Sequence, residues 1–283
     1  MKFARIVLAI LIATSFCSMA EAASPVGTPT TLSVGQSFPY SSAVFEDTRT
    51  LNVYLPADYD SSSTNYPVLY LLDGGVTQDF IPIVGMAALG PLSGQYRPFI
   101  VVGIQTENRY FELTTPSEIE RDVQAIPNNG GAEKLRRYIV DEVKPWVAAN
   151  YRTSGEDAVI GESLAGLFIS ETFLTAPETF THYIAVSPSM WWRDMSLSKE
   201  AMALLQGDDF PSDRSIYLTI ADEGGIMLEG VERLAEALKN HAPAGTKWWY
   251  EPMPNEHHNT IYNPATLQAL RLIFAPQTEG KNP

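Results

Sequence analysis

The chain has 283 residues, of which 45% are hydrophobic and 18% are charged, the composition of a globular protein with an ample core. This length allows one large α/β domain or two small ones. Its 19 lysines and arginines stand against 33 aspartates and glutamates, a net charge of −14. Such an acidic balance disfavours nucleic acid and anionic membrane surfaces as partners.

The first 22 residues follow the pattern of a secretory signal peptide. Lys2 and Arg5 precede the apolar run 6–16, and Ala20 and Ala22 supply the small residues expected before a cleavage site. A membrane anchor, which is the alternative, needs a longer apolar run, and no later segment is apolar for long enough to span a bilayer. We therefore expect an exported protein that is periplasmic or secreted once the leader is removed.

Cys17 is the only cysteine, and it lies within this leader. A lipid-attachment role is disfavoured because the bulky Phe16 precedes it. Cleavage after Ala22 would leave a mature chain without a disulfide, a thiol nucleophile or a thiolate metal site. It would also remove two basic residues and one acidic residue, so the net charge would change from −14 to −15.

Beyond the leader, residues 23–36 are rich in Ser, Thr, Pro and Gly and are predicted to form a flexible lead-in. Residues 37–276 are predicted to form a single domain, and 277–283 a tail. Within the domain, the segment 49–56 alternates apolar and polar residues. This alternation predicts an antiparallel strand pair with one face in water.

Continuous apolar segments then predict strands buried on both faces, as in the middle of a mostly parallel sheet. These segments are 67–75, 99–104, 183–188 and 216–221, and a last strand is predicted at 247–253. Helices are predicted at 132–149, 164–175, 227–240 and 263–274. The alternation of strands with helices predicts a three-layer α/β sandwich, in which ligands bind at the carboxyl ends of the strands.

Ser163 stands in the segment 158–168, whose strand–turn–helix pattern is that of a nucleophile elbow. Gly161 and Gly166 let the strand and the helix approach closely. Ala165 takes a position where glycine is more usual, and it adds only a methyl group. A serine hydroxyl is a weak nucleophile until a base takes its proton, so the elbow requires a histidine and a carboxylate elsewhere.

The candidate base lies in the polar loop 255–260, which follows the last predicted strand. This late position matches the order serine, acid, histidine, and of the adjacent His257 and His258 we favour His258. His182 begins a strand on the far side of the sheet from the serine. His241 ends a helix, where the dipole favours a cation.

The candidate acids, Asp222 and Glu223, follow the strand 216–221, where a carboxylate would orient the imidazole. Either could instead cap the helix that follows. A zinc site formed by Asp222 with Glu256 and the histidine pair is a further alternative. It is disfavoured because adjacent residues rarely aim at one ion and no familiar ligand spacing is present.

An oxyanion hole requires two backbone N–H groups directed at the developing charge. Leu164, the residue after the nucleophile, is expected to supply one. The glycine pair Gly74-Gly75 is expected to supply the other, although a plain tight turn would explain the pair equally well. The polar loop 105–130 and the adjacent tryptophans at 191 and 192 are expected to line the substrate pocket.

The tryptophans and two arginines that could contact the substrate can also be explained without one. Core packing explains Trp191 and Trp192 as well as substrate contact does. Arg109 and Arg193 could meet an anionic substrate, or they could be ordinary surface charges.

Several segments together carry a resemblance to a known family, namely 49–56, 68–74, 102–104 with Arg109, 161–166, 187–192, 222–224 and 256–260. With them the chain resembles the esterase D-like branch of the α/β-hydrolases, over nearly its whole mature length. Within that branch it is similar to esterases related to the ferric-siderophore esterases that act on enterobactin and bacillibactin. The run Ser-x-Ser-x-Trp-Trp at 187–192 is the most specific of these segments.

The resemblance implies an α/β-hydrolase fold with Ser163 as nucleophile, His258 as base and Glu223 as acid. It also implies that the oxyanion donors are Gly74 and Leu164 and that no cofactor is needed. The chain departs from the family pattern at 259–260, where Asn-Thr replaces the more usual Gly-Ser.

We therefore expect a serine esterase that hydrolyses a small-molecule carboxylic ester through an acyl-enzyme. The resemblance favours a siderophore ester, but a chain of net charge −15 would repel a strongly anionic ferric catecholate, so a general ester comes first. An acyltransferase would use the same triad. A non-catalytic binding module on this fold would keep its function after Ser163→Ala. The oligomeric state is left open.

Overall fold

The computed structural model describes residues 27–28, 30–207 and 210–276. The predicted signal peptide and the predicted tail lie outside these residues. Of the described residues, those from Val34 onwards form one compact unit. None of the helices in the described ranges has the length and apolar character needed to cross a bilayer.

Within the described residues, one sheet organises this unit. Its strands are β1 (Gln36–Ser42), β2 (Asp47–Tyr54), β3 (Tyr66–Leu72), β4 (Ile100–Ile104), β5 (Thr153–Glu162), β6 (His182–Val186), β7 (Ser215–Thr219) and β8 (Lys247–Tyr250). Their order is β1-β2-β4-β3-β5-β6-β7-β8. The β1–β2 and β2–β4 pairs are antiparallel, and the remaining pairs are parallel. This confirms the predicted mostly parallel sheet with an antiparallel N-terminal portion.

The burial of the strands follows their sequence pattern. Every residue of β3, β4 and β7 is buried, because helices cover both faces of the central strands. In register, Leu69 of β3 lies between Val101 of β4 and Ala158 of β5. The edge strand β1 is mostly exposed or half-buried, as expected of an antiparallel edge with a face in water.

The helices pack on the two faces of this sheet. They are α1 (Phe80–Leu92), α2 (Arg109–Glu112), α3 (Glu120–Ala125), α4 (Ala132–Tyr138), α5 (Lys144–Asn150), α6 (Leu164–Thr175), α7 (Trp192–Leu205), α8 (Gly225–His241) and α9 (Tyr262–Ile273). One face carries α1 and α9, with Ile83 and Leu270 in its apolar core. The other carries α4, α6 and α8, with Leu135, Phe168 and Leu238 in its core. The sandwich therefore has the three layers that were predicted.

The structure departs from the predicted helices in two ways. The predicted helix at 132–149 is divided into α4 and α5 by a π-helical turn at Ile139–Val143. Two long helices, α1 and α7, were not predicted, and the region 105–130 contains the short α2 and α3 instead of a continuous loop.

The carboxyl ends of the parallel strands bring the candidate residues to one edge of the sheet. Ser163 directly follows β5, Ser187 directly follows β6, and Glu223 lies just beyond β7. His182 stands at the opposite end of β6, where its Nδ1 lies 2.7 Å from Ser215 Oγ. This confirms that His182 is on the far side of the sheet from Ser163.

Candidate active site

Ser163 occupies a strained turn between β5 and α6. Its φ of 62° and ψ of −117° are unusual for a residue with a side chain, and such strain is typical of functional sites. The turn is held by the Ser163 N–H, which donates to Val186 O at 3.0 Å. Gly161 is required nearby, because a Cβ at that position would lie 2.4 Å from the Ala165 Cβ. These features produce a nucleophile elbow with a half-buried serine at its tip.

One open cleft of about 370 Å³ collects the residues of interest. Ser163, Glu223 and His258 all line it, although they come from three different loops. The other lining residues are Arg109, Tyr110, Ala125, Ile126, Leu164, Ser189, Trp191 and Met227. In this structure the Ser163 hydroxyl shares a hydrogen bond of 3.2 Å with Ser189 Oγ.

His258 and Glu223 form a close charge pair. His258 Nδ1 lies 3.0 Å from Glu223 Oε2, but the ring N–H is not aligned with that oxygen for a hydrogen bond. The contact with Glu223 raises the pKa of His258 above its usual value, against the opposing effect of burial. Of the other charges near this imidazole, Glu162 raises its pKa further and Arg109 lowers it. On balance the pKa of His258 is therefore higher than that of an exposed histidine.

Glu223 is also held from its other side. Its Oε1 accepts a hydrogen bond from the Ser187 hydroxyl. Burial pushes the pKa of Glu223 upwards, but the contacts with His258 and Ser187 outweigh burial and hold the pKa below its usual value. The carboxylate is therefore ionised at neutral pH, as an acid that orients an imidazole requires.

In each of the two adjacent pairs, Asp222-Glu223 and His257-His258, only one residue lines the cleft. Asp222 is exposed, and its backbone N–H donates to Glu256 O at 2.9 Å. His257 is exposed as well, and neither residue lines the cleft. Within the described ranges, no group of three or more His, Cys, Asp or Glu side chains is arranged to hold a metal ion.

The backbone N–H groups of the two candidate oxyanion donors, Leu164 and Gly74, differ in whether they already have an acceptor. Leu164 lines the cleft at the first position of α6, where the backbone N–H has no acceptor within the helix. The N–H of Gly74 instead donates to Ile104 O at 2.8 Å, and that of Gly75 donates to Gln78 Oε1 at 2.8 Å. In this structure the N–H of Gly74 is therefore bonded to the neighbouring strand, and its role as an oxyanion donor stays a prediction.

The reason for glycine at position 74 is sheet packing. A Cβ there would lie only 2.3 Å from the Gly103 Cα of β4. The sequence suggested that glycine lets a substrate come close to the backbone here, but in the structure it is strand β4 that comes close.

Of the two tryptophans that were predicted to bind substrate, one lines the cleft and the other is buried. Trp191 lines the cleft, with the Arg121 guanidinium 5.8 Å from its ring centroid. Trp192 is only 2% exposed, and its Nε1 donates to Thr115 O at 3.0 Å. Trp192 is therefore part of the core in this structure and Trp191 lines the cleft, while a contact of either residue with the substrate stays a prediction.

Arg109 lines the cleft, but its charge already has a partner. Its Nε lies 2.7 Å from Asp73 Oδ2, and its Nη2 donates to Glu162 O at 3.2 Å. The other candidate, Arg193, lies outside the cleft, and its backbone N–H donates to Asp122 Oδ2 at 2.8 Å.

Sequence reasoning missed an acidic group behind the cleft. Burial raises the pKa of Glu162 to about 7, and burial together with Asp73 raises that of Asp79 to about 6. Glu162 Oε1 and the hydroxyl of Tyr262 are buried without a hydrogen-bond partner among the described residues. The position of Glu162, directly before the elbow serine at the end of a buried strand, was the available signal.

Sequence reasoning also missed the roles of two serines. Ser187 and Ser189 were noted only as part of the run 187–192, yet one contacts Glu223 and the other contacts Ser163. The signal was their position directly after a core strand, next to the elbow strand in a parallel sheet.

Comparison with known proteins defines the class of this chain. The family model described as "Putative esterase" matches residues 42–245. Ferri-bacillibactin esterase BesA of Bacillus subtilis is 32% identical over 235 residues, which are 75% of this chain and 80% of BesA. The chain therefore belongs to this family of esterases, as the resemblance in its sequence indicated.

Solved structures agree on the fold. An IroE-like serine hydrolase from Shewanella oneidensis superposes with a TM-score of 0.75 at 24% identity, covering 85% of this chain and 80% of that one. Siderophore hydrolase EstB from Aspergillus nidulans superposes with a TM-score of 0.74 at 19% identity, covering 88% and 98% respectively. The fold is that of the α/β-hydrolases, as predicted.

Proposed function

We propose that this esterase is an exported serine carboxylic-ester hydrolase that works through an acyl-enzyme on Ser163. The observation that carries the proposal is the shared cleft, in which the strained elbow serine opens onto the same space as the paired His258 and Glu223. A nucleophile, a base and an acid that orients the base are the parts that acyl transfer to serine requires.

The proposed chemistry has two halves. His258 accepts the Ser163 proton as Oγ attacks the ester carbonyl, and it then gives that proton to the departing alcohol. Water attacks the resulting acyl-enzyme in the same way, which releases the acid and restores the serine. Glu223 stabilises the imidazolium that forms in each half.

The tetrahedral intermediate requires donors for its negative charge. The Leu164 N–H, at the N-terminus of α6, is the proposed backbone donor, and the helix dipole adds to its effect. The Gly74 amide is not part of this proposal, because it is bonded to β4.

Hydrolysis is favoured over acyl transfer by the form of the cleft. The His258 side chain is 44% exposed, so water can reach the group that must activate it. An acyltransferase has to keep water away from the acyl-enzyme.

Ser163→Ala tests the proposal. With p-nitrophenyl esters of increasing chain length, we expect kcat/KM to fall by about 10³-fold or more, because the nucleophile is removed. Ser198→Ala is the matched control, since Ser198 is a buried serine whose Oγ donates to Met195 O, outside the cleft. Activity retained in folded Ser163→Ala would refute the proposal.

A siderophore ester is the second candidate substrate. It is favoured by the relatives, because BesA and EstB are both named for siderophore hydrolysis. Against it stand the net charge of −14 and the pairing of Arg109 with Asp73, which leaves that arginine little free charge for an anionic ligand. The test compares a cyclic catechol-siderophore ester with the p-nitrophenyl esters; a higher kcat/KM for the siderophore would make it the preferred substrate.

A further inference from the structure

The connection from β6 to α7 contains two buried serines, Ser187 beside the acid loop and Ser189 beside the nucleophile. We name residues 187–189, Ser-Pro-Ser, the serine segment. Ser187 is fully buried and Ser189 is 3% exposed. Ser187 also has a φ of 41°, in the left-handed region that residues with a Cβ rarely adopt.

The first serine is bonded to the acid loop. The Ser187 backbone N–H donates to Thr219 O of β7 at 3.1 Å, and this bond places the start of the segment beside the end of that strand. The Ser187 hydroxyl then accepts from the Ala221 N–H at 3.3 Å and donates to Glu223 Oε1.

This arrangement gives each oxygen of the Glu223 carboxylate its own neighbour. Oε1 is held by Ser187, and Oε2 faces His258 Nδ1. A hydrogen bond to a charged acceptor is stronger than one between neutral groups, so the Ser187 hydroxyl limits the rotation of the Glu223 carboxylate.

The second serine is bonded to the nucleophile. The Ser189 N–H donates to Ser163 O at 3.0 Å, and the two side-chain oxygens lie 3.2 Å apart. One short segment therefore contacts the proposed acid and the proposed nucleophile from the same side of the sheet.

We infer that the serine segment is a positioning element of the active site, in which Ser187 orients Glu223 and Ser189 orients the hydroxyl of Ser163. The inference rests on the proposed function. The backbone bonds of the segment suffice to join β6 to its neighbours, whereas each hydroxyl is directed at a reacting or ion-paired side chain.

Ser187→Ala tests the first half of the inference. We expect kcat to fall by about tenfold to a hundredfold with KM changed less than about twofold, because a hydrogen bond to a charged group is lost away from the substrate. The acidic limb of the kcat/KM profile should move to lower pH, since a loosened Glu223 supports the imidazolium of His258 less. Glu162 and Arg109, the other charges near that imidazole, are unchanged in this variant.

Ser187→Gly is the second variant, because glycine adopts a φ of 41° without strain and also lacks the hydroxyl. Both variants should show the same loss and the same pH shift, and the control Ser198→Ala should show neither. A wild-type kcat and pH profile in folded Ser187→Gly would overturn the role of Ser187.

The rate at which a fluorophosphonate probe labels Ser163 tests the second half. This rate should be about tenfold lower in Ser189→Ala and within about threefold of wild type in Ser189→Thr, which keeps the hydroxyl. Wild-type labelling in Ser189→Ala, or an equal loss in Ser189→Thr, would overturn the role of Ser189.

These outcomes are distinct from failure of the proposed function. If Ser163→Ala retains activity, the proposed function fails and the inference fails with it. If Ser163→Ala is inactive while the variants at 187 and 189 match the wild type, only the inference on the serine segment fails.

Discussion

The polar groups at the strand ends on the two sides of Ser163 have different partners. On the β3–β4 side, Asp73 accepts from Thr106 Oγ1 at 2.5 Å and from Arg109 Nε at 2.7 Å. Arg109 also lines the cleft, but the polar groups on this side are bonded mainly to one another. On the β6–β7 side, Ser189 and Glu223 line the cleft itself.

The difference between the sides lies in the partner of each carboxylate, because the Asp73 and Glu223 side chains are about equally buried, at 8% and 10% exposed. Asp73 is paired with an arginine, which stays charged, so its own charge depends on a partner that the fold provides. His258 is 44% exposed on its side chain, so its charge is partly solvated and can change during a reaction. We therefore expect substitutions on the β3–β4 side to affect mainly stability, and those on the β6–β7 side to affect mainly activity.

The largest expected effect is on the activity of Glu223→Gln. We expect kcat/KM to fall by about 10³- to 10⁴-fold, or ~4–5.5 kcal/mol, because an amide facing Nδ1 disfavours the required tautomer. The melting temperature should change little. Asp222→Asn is the matched control and should keep wild-type kinetics, since Asp222 lies outside the cleft. Equal losses in both variants would contradict the assignment of the acid.

For Asp73→Ala we expect a large loss of stability and a smaller change in activity. Removing this aspartate leaves Arg109 without its carboxylate partner, so we expect the free energy of unfolding to fall by about 2–4 kcal/mol. Urea denaturation measures this change. The double variant with Arg109→Ala should lose less than the sum of the two single losses. A stable Asp73→Ala protein with strongly reduced kcat would remove the contrast between the two sides.

The smallest expected effect is the pH dependence of stability caused by Glu162. Its pKa is 4.5 when exposed and about 7 in the folded protein, chiefly because of burial. Between pH 4.5 and 7, Glu162 is ionised in the unfolded chain but still protonated in the folded protein. Its contribution therefore lowers the free energy of unfolding progressively over this range, and the full reduction is reached above pH 7.

Glu162→Gln should therefore leave stability unchanged near pH 4 and raise it by about 1–2 kcal/mol at pH 8, after allowance for partial exposure. Urea denaturation at the two pH values measures the difference. The exposed Glu118→Gln is the control for removing a carboxylate that the fold does not bury. An equal effect at both pH values would show that burial of the charge is not the cause.

The helix α1 shows why part of the fold was missed. Its sequence contains prolines at 82 and 91 and glycines at 85 and 90, all of which weaken a helix prediction. It is helical because Ile83, Val84 and Ala87 pack on the sheet. Position 90 also needs glycine, since a Cβ there would lie 1.9 Å from Tyr96 Cζ. Tertiary packing overrides local preference in this segment.

By itself, the sequence determined the features that depend on local pattern. Apolar runs, their alternation with helices and the strand–turn–helix around Ser163 predicted the sheet, the layers and the elbow. These features follow from the repeat of side chains along a strand or helix, so they are readable without knowledge of distant contacts.

Only the tertiary structure decided which member of an adjacent pair lines the cleft, as for Asp222 and Glu223, His257 and His258, or Trp191 and Trp192. Adjacent residues in a loop point in different directions, and the direction depends on backbone angles that contacts from other strands impose. The Gly74 amide shows the same limit, because its acceptor is on β4, about 30 residues away in sequence.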